Sequence, residues 1–118
     1  MVRRPPSVPD RGEIWHLQFD PSTGREMIGD HFCLVLSKRE FNEIGLALAC
    51  PISQGTSSVA RNQGFLVTLM GEGTDTQGNV HSHQVRTLDW RARRAMFKEK
   101  APDSVTNYVL SLVGAILE

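Results

Sequence analysis

Two histidines separated by one residue, His81 and His83, are the clearest candidates for chemistry in this sequence. They lie in a stretch from Asn79 to Leu88 that predicts a β-strand. Because alternate residues of a strand point to the same face, both imidazoles are expected to face one groove. Histidine suits acid–base catalysis near neutral pH, since one ring can be neutral while the other is charged. The pair therefore predicts a general base beside a general acid.

A second group of polar residues surrounds two short apolar runs in the first half of the chain. Residues 34–36 and 45–50 are too short for membrane spans and are bounded by turn-forming residues, so both are predicted to be buried strands. Glu26 and His31 precede the first run, and Ser53 follows the second. This order predicts an antiparallel scaffold that presents a polar site from its loops.

A metal centre is the alternative for these histidines, because a His-x-His pair together with Glu26 could bind zinc. No cysteine or aspartate stands at ligand spacing nearby, so a site without a metal or cofactor is favoured. The remaining histidine, His16, falls on the outer side of the first predicted strand and is expected at the surface. Cys33 and Cys50 lie in apolar runs and are expected to be buried, reduced thiols.

The elements that must position these side chains are mostly short strands. Residues 13–19 alternate in polarity and predict a half-buried strand with Trp15, Leu17 and Phe19 inward. A polar segment at 37–43 is expected to hold a helical turn. Residues 65–69 predict a further strand, and a turn at 71–78, rich in Gly and Asp, joins it to the strand with the histidine pair.

The end of the chain predicts an amphipathic helix. Apolar residues recur there at helical spacing, at Val105, Tyr108, Val109, Leu112, Val113 and Ile116. Pro102-Asp103-Ser104 supplies the start signal. The chain is therefore predicted to be α+β and mostly β, a small curved antiparallel sheet or barrel with a C-terminal helix. Residues 11–118 are expected to form one domain after a flexible, proline-stiffened arm at 1–10.

Composition narrows the functional classes. The 40% apolar and 22% charged content is that of an ordinary globular protein, and zero net charge disfavours a histone-like or membrane-coating role. No run approaches the ~20 apolar residues of a membrane span, and the N-terminus has no apolar core of a signal peptide. A cytoplasmic protein with no membrane partner is expected. A local basic run from Arg86 to Lys100 is suited to phosphate contacts.

Several short phrases carry a family resemblance. They read RGEIW at 11–15, FDP at 19–21, GRE at 24–26, VLS at 35–37, PISQG at 51–55, ARNQGF at 60–65 and QVRTLD at 84–89. In order and spacing they resemble the PemK/Kid/MazF toxins of bacterial toxin–antitoxin pairs. The similarity is closer to the Kid/PemK and ChpB branch than to MazF itself.

The resemblance implies a fold like an SH3 barrel or the gyrase poison CcdB, assembled as a homodimer. It implies a metal-independent endoribonuclease that cuts single-stranded RNA, usually messenger RNA, at short sequences. In that chemistry a 2′-hydroxyl attacks the adjacent phosphodiester and leaves a cyclic phosphate and a 5′-hydroxyl. The implied partner is an antitoxin whose acidic, partly disordered C-terminal tail lies across the RNA groove. Contact with operator DNA is expected only through that antitoxin.

The resemblance also implies catalytic roles, although the chain departs from its relatives at these positions. The Kid branch has an arginine acid and an aspartate base two residues apart where this chain has His81 and His83. His83 is therefore expected to be the base and His81 the acid. His31 stands in place of a catalytic arginine and is expected to bind the scissile phosphate. Ser53 replaces a threonine, and Glu26 is kept.

RNA contacts are expected from Arg86, Gln84, Arg25, Arg61 and Gln54, and Arg86 is favoured because it closely follows the histidine pair. Two other functions stay open. The catalytic set could be weakened or lost, leaving a protein that binds antitoxin or RNA. A CcdB-like gyrase poison is the other, but such poisons act through a C-terminal segment containing tryptophan, and this chain ends GAILE.

Overall fold

One mainly antiparallel sheet with a helix at its C-terminal end forms the described part of this computed structural model, residues 7–19, 30–54 and 64–118. The strands are β1 (Glu13–Gln18), β2 (Asp30–Val35), β3 (Leu46–Ser53), β4 (Leu66–Thr68), β5 (Asn79–His81), β6 (Arg86–Asp89) and β7 (Met96–Lys100). The helices are α1 (Arg39–Asn42) and α2 (Asp103–Leu117), and Ser82–Gln84 form a 3₁₀ turn. The predicted fold class is confirmed, as is the helical turn expected at 37–43.

The sheet is organised around β3, which is long enough to pair with three other strands. Its neighbours follow the order β4-β5-β3-β2-β1-β7, and β6 pairs with β3 off this path. One edge of β3 pairs with β2, from Ile52 opposite Phe32 to Ala49 opposite Val35. The other edge is shared, because β6 pairs with its first half and β5 with its last residues. Ser53, at the end of β3, consequently lies beside β5.

Apolar side chains cover both faces of the sheet. The face under α2 carries a cluster that includes Ile14, Leu34, Cys50, Ile52, Val80, Val105, Val109 and Val113. The opposite face carries Trp15, Leu17, Phe19, Cys33, Val35, Ala47, Ala49, Leu88 and Trp90. In the strand expected at residues 13–19, Trp15, Leu17 and Phe19 are buried as predicted. The expectation that this strand is only half-buried is wrong at Ile14, which is fully buried on the helix side.

The two cysteines are free and buried, as predicted. They belong to different faces, because Cys33 lies in one cluster and Cys50 in the other. Burial raises the pKa of each thiol to about 12. Both side chains therefore act as small apolar groups of the core.

The C-terminal helix begins at Asp103, directly after Pro102, as the start signal predicts. Its buried stripe contains Val105, Val109 and Val113. The predicted apolar face is too wide, because Tyr108 is 54% and Ile116 43% exposed. In the described ranges, no helix has the length and apolar character needed to cross a membrane.

The folded unit extends further toward the N-terminus than the predicted boundary at residue 11. The structure describes residues 7–10 of the predicted arm, and Pro9 is fully buried. The carbonyl oxygen of Pro9 accepts a 2.8 Å hydrogen bond from Asn42 Nδ2, and Asn42 itself is completely buried. The Trp90 Nε1–H also donates to the Asn42 carbonyl at 2.9 Å. Asn42 thus ties this part of the arm to the domain.

Candidate active site

The stretch that carries the histidine pair is not the single strand predicted from Asn79 to Leu88. β5 ends at His81, a 3₁₀ turn follows, and β6 starts at Arg86. The pairing with β3 explains the interruption. From the Val80–Ile52 pair to the Arg86–Ala49 pair, β3 advances by three residues while the other chain advances by six. The additional residues have no place in the sheet, so they leave it as a turn.

That turn still places the two histidine rings side by side. The His81 and His83 ring centroids are 5.5 Å apart, with the ring planes inclined at 32°. The His83 ring also stacks on Phe65, at 5.7 Å and 26°. The rings are therefore neighbours, but they meet through a turn and not through one face of a strand.

His81 is enclosed at the end of β5. Only 4% of the residue is exposed. Its Nε2 atom lies 2.9 Å from the Ser53 hydroxyl oxygen, and either atom can be the donor, depending on the tautomer. The contact arises because Ser53 pairs with Asn79, and His81 lies two residues further along, on the same face of β5. One nitrogen of the imidazole is thereby fixed against a hydroxyl group.

His83 has a different environment, in the 3₁₀ turn. It is only half-buried. Burial lowers the pKa of its imidazole below the ordinary value of 6.5. Its Nδ1 atom is buried and has no hydrogen-bond partner. At neutral pH this ring is therefore predominantly uncharged, the form that a general base requires.

His31 and Arg86 both lie against one aromatic side chain, Phe19. The His31 ring meets Phe19 edge-on at 6.1 Å, and the Arg86 guanidinium carbon lies 5.9 Å from the centre of the same ring. Phe32 pairs with Ile52, so the adjacent residues His31 and Ser53 both point to the face away from α2. His31 belongs to β2 and not to the loop predicted before it.

The other predicted site residues divide into those described and those not described. Gln84 is half-buried in the 3₁₀ turn, and Gln54 is exposed directly after β3. Glu26, Arg25 and Arg61 lie outside the described residues. The structure therefore brings Ser53, His81 and His83 into one cluster, with the His31–Phe19–Arg86 group on the same face of the sheet.

Sequence reasoning missed a glycine that shapes this cluster. Gly78 has a φ of 116°, and a Cβ atom there would lie 2.5 Å from the backbone oxygen of Ser53. Only glycine allows the loop before β5 to approach the end of β3 this closely. Its position at the end of a turn, directly before a strand, was the available signal. Phe65 was also missed, because its stacking partner His83 is distant in sequence.

The described residues contain no group of three or more His, Cys, Asp or Glu side chains arranged to hold a metal ion. His81 and His83 are among these residues, but Glu26, the third ligand of the zinc alternative, lies outside them. The cluster can supply proton transfer by imidazoles, with the Ser53 hydroxyl beside His81.

Comparison with known proteins identifies the family. Residues 10–117 match the model of the family described as PemK-like, MazF-like toxin of type II toxin–antitoxin system. The chain is 36% identical over 118 residues to the endoribonuclease PemK of Escherichia coli, covering 99% of this chain and 87% of PemK. It is 40% identical over 110 residues to the endoribonuclease toxin ChpB of Escherichia coli (strain K12), covering 92% of this chain and 94% of ChpB.

A solved structure has the same fold. The crystal structure of MazF from Deinococcus radiodurans superposes with a TM-score of 0.85 at 35% identity, covering 95% of this chain and 98% of that one. A MazE–MazF structure from the same organism also matches, with a TM-score of 0.79 at 35% identity, covering 95% of this chain and 97% of that one. The likeness extends over nearly the whole chain in both cases.

Proposed function

Because the chain belongs to the PemK-like, MazF-like toxins of type II toxin–antitoxin systems, we propose that it is an endoribonuclease whose acid–base pair consists of two histidines. One observation carries the proposal. The His81 and His83 rings lie 5.5 Å apart, and the Ser53 hydroxyl holds one nitrogen of His81 at 2.9 Å. Two neighbouring imidazoles can act as base and acid on the two oxygens that exchange at one phosphorus.

In the proposed reaction, the neutral imidazole of His83 removes the proton from a ribose 2′-hydroxyl. The 2′-oxygen then attacks the adjacent phosphorus, and the bond from phosphorus to the 5′-oxygen breaks. His81 gives its proton to the departing 5′-oxygen, so the products are a 2′,3′-cyclic phosphate and a 5′-hydroxyl. The Ser53 hydroxyl, 2.9 Å from His81 Nε2, can accept a hydrogen bond from that nitrogen and hold the ring in place.

Charge on the phosphate has to be stabilised while it is attacked. His31 and Arg86 are the proposed groups for this step, because both pack on Phe19 on the face that carries Ser53. Gln54 and Gln84, beside Ser53 and His83 in the chain, are proposed to contact the RNA. The same role for Arg25 and Arg61, and a catalytic role for Glu26, remain proposals from the family resemblance.

The family supplies the proposed partners. MazF has been solved together with MazE, so a cognate antitoxin is the partner proposed for this chain. An acidic, partly disordered tail would compete with RNA for the same face, because both are polyanionic. A homodimer is proposed on the same family grounds, with operator DNA reached only through the antitoxin. We also propose that the toxin acts in the cytoplasm, where messenger RNA is found.

A weakened nuclease is the second candidate, and one observation favours it. His81 is only 4% exposed, so a leaving oxygen has limited access to its ring. In that case the protein would bind RNA and antitoxin but cut slowly or not at all. A movement of the 3₁₀ turn on RNA binding would be needed to bring His81 to the phosphate.

The experiment that separates these candidates uses purified protein, mixed-sequence RNA and EDTA, followed by mapping of the new RNA ends. The proposed function predicts cuts that leave 2′,3′-cyclic phosphate or 3′-phosphate ends, and no cut in DNA of the same sequence. Replacing the ribose at a mapped site by 2′-deoxyribose should abolish that cut alone. Cleavage that EDTA stops and zinc restores would overturn the metal-free mechanism. Binding without cleavage would support the weakened nuclease.

A further inference from the structure

The proposed base, His83, has an aromatic neighbour to which the proton-transfer steps give no role. The Phe65 ring lies against the His83 ring, with the centroids 5.7 Å apart and the planes inclined at 26°. This distance and the nearly parallel planes are those of a stacked aromatic pair. Phe65 directly precedes β4, and His83 lies in the turn after β5. The contact therefore joins two segments that are separate in the sequence.

Backbone contacts hold Phe65 beside the turn independently of its side chain. Leu66 pairs with His81 across β4 and β5, and the Ser82 N–H donates to the Phe65 carbonyl oxygen at 3.2 Å. The antiparallel pairing thus continues one residue past β5, into the turn that carries His83. A substitution at position 65 can therefore remove the ring and leave this backbone hydrogen bond in place.

Stacking shields one face of the His83 imidazole from water. The residue is half-buried, and its Nδ1 atom is buried without a hydrogen-bond partner among the described residues. Nε2 is therefore the nitrogen that can reach a ribose hydroxyl. Loss of contact with water disfavours the charged form of a titratable group, and burial lowers the pKa of this imidazole. The Phe65 ring, which covers one face, is part of that burial.

The elements around the turn offer few other causes for the lowered pKa. The turn packs against α2, β3 and β4 and follows β5. No titratable side chain belongs to β4, and β3 has only Cys50, a buried neutral thiol. Asp103 and Tyr108 of α2 are both exposed, and a carboxylate would raise the pKa of an imidazole. His81 is the titratable neighbour in ring contact with His83, so burial and this one imidazole define its surroundings.

An aromatic ring can act on a stacked imidazole in two opposite ways. Covering the imidazole keeps it neutral and lowers its pKa. Attraction between the aromatic face and a protonated imidazole favours the charged form and raises the pKa. Because the pKa of His83 is lowered, the covering effect outweighs the attraction.

From this geometry we propose that Phe65 is a positioning residue for the catalytic base, which holds the His83 ring by stacking and shields it from water. Phe65 has no proton to transfer, so it acts on the reaction only through His83. The inference rests on the proposed endoribonuclease function, because it concerns the base of the same reaction. Removal of the 2′-hydroxyl proton requires an imidazole that is both neutral and correctly oriented.

The first arm of the test measures the His83 ring without RNA. NMR follows the C–H signals of this imidazole from about pH 4 to 8, on both sides of the ordinary histidine pKa. Phe65→Ala uncovers the ring, so the midpoint should rise from its wild-type position toward 6.5. Phe65→Leu keeps apolar volume without a flat face and should give a smaller rise. Phe65→Tyr keeps the ring and should titrate as wild type.

The direction of the change decides this arm, because the covering effect and the attraction have opposite signs. An unchanged or lowered midpoint in Phe65→Ala would overturn the proposal. Where Phe65→Ala does not fold, the same result in Phe65→Leu would overturn it. A loss of stability alone would not move the midpoint, so the measurement separates positioning from a merely structural role.

The second arm measures single-turnover RNA cleavage over the same pH range. Phe65→Ala should move the acid limb toward 6.5 and lower the plateau rate by up to about 100-fold, the cost of misplacing a reacting group by about 1 Å. Phe65→Tyr should keep both at the wild-type level. Phe41→Ala is the matched control, because Phe41 is an exposed phenylalanine of α1, before the start of β3, whereas Ser53 lies at its end. Weaker RNA binding by Phe65→Ala with an unchanged limb and plateau would overturn the proposal.

The proposed function and this inference fail separately. If wild type cuts no RNA while Phe65→Ala raises the His83 midpoint, the function is wrong and the hold of Phe65 on the ring stands. If wild type cuts RNA and Phe65→Ala keeps the wild-type midpoint, acid limb and plateau, the function stands and the inference is wrong. Circular dichroism of each variant checks that the fold is retained.

Discussion

Ser53→Ala removes the 2.9 Å hydrogen bond between the serine hydroxyl and His81 Nε2 while leaving β3 intact. A hydrogen bond between neutral groups contributes about 0.5–1.5 kcal/mol, and one to a charged group about 1.5–3 kcal/mol. His81 changes charge during the proposed reaction, so about 1.5 kcal/mol is the appropriate magnitude, or roughly tenfold in rate. His81→Ala removes the proton donor itself and should cost on the order of 10²- to 10⁴-fold.

Because Ser53 is proposed to act through His81, the two effects should not add. The double variant Ser53→Ala/His81→Ala should cut as slowly as His81→Ala alone. Ser53→Thr keeps the hydroxyl and should remain within a few-fold of wild type. The assay is single-turnover cleavage of a labelled RNA at saturating protein, with fluorescence anisotropy to show that RNA affinity is retained. A further tenfold loss on adding Ser53→Ala to His81→Ala would refute this coupling, as would full activity of Ser53→Ala.

Three further predictions concern the surroundings of the site. Gly78→Ala forces a Cβ atom to 2.5 Å from the Ser53 backbone oxygen, so chemical denaturation should show a loss of about 1–3 kcal/mol in unfolding free energy. Glu99 has a lowered pKa, so its ionised form stabilises the fold above the ordinary value of 4.5, and this stabilisation is lost as pH falls through the folded-state pKa. The melting temperature of Glu99→Gln should therefore fall below wild type at neutral pH and approach it in acid; an equal gap at both pH values would contradict this. RNA affinity should fall as salt rises, and Arg86→Ala should lower the slope by about 0.7, the contribution of one phosphate contact to a single strand; an unchanged slope would exclude Arg86 as such a contact.

Local periodicity was sufficient to predict most elements of the fold. The first strand alternates over Trp15, Leu17 and Phe19, and all three are buried as predicted. The C-terminal helix repeats with the spacing of Val105 and Val109, and it begins where its start signal stands. These elements could be predicted because the apolar residues of each one lie on a single face, which packs against the core, and this produces a regular spacing in the sequence.

The turn at residues 82–84 could not be predicted, because its cause is not local. Its residues leave the sheet because β5 and β6 pair with positions on β3 that are too close together to accommodate the intervening chain. Those positions lie about thirty residues earlier, from Ile52 to Ala49, and no pattern within 79–88 records them. The prediction that the His81 and His83 rings lie side by side is therefore correct. The prediction that one continuous strand carries both residues is wrong.

The burial of His16 could not be predicted either, because it also depends on segments that are distant in the sequence. Alternation along the first strand correctly separates His16 from Trp15 and Leu17. Its burial depends on Phe32, on β7 and on the loop between β4 and β5, which together with His16 line a cavity of about 490 Å³. Glu99 holds that loop by hydrogen bonds to Thr76. Burial of this kind arises from contacts between distant segments, so the sequence predicted a surface residue where the structure has a cavity wall.

The pH dependence of RNA cleavage in EDTA, measured for wild type and His83→Ala, tests the histidine pair most directly. A bell-shaped profile of kcat/KM is predicted for wild type, with its acid limb below 6.5 because burial lowers the pKa of the His83 base. His83→Ala should lose that limb and at least about 100-fold in rate while still binding RNA. A wild-type profile that is flat between about pH 5 and 8, or full cleavage by His83→Ala, would contradict the assignment of the imidazoles as base and acid.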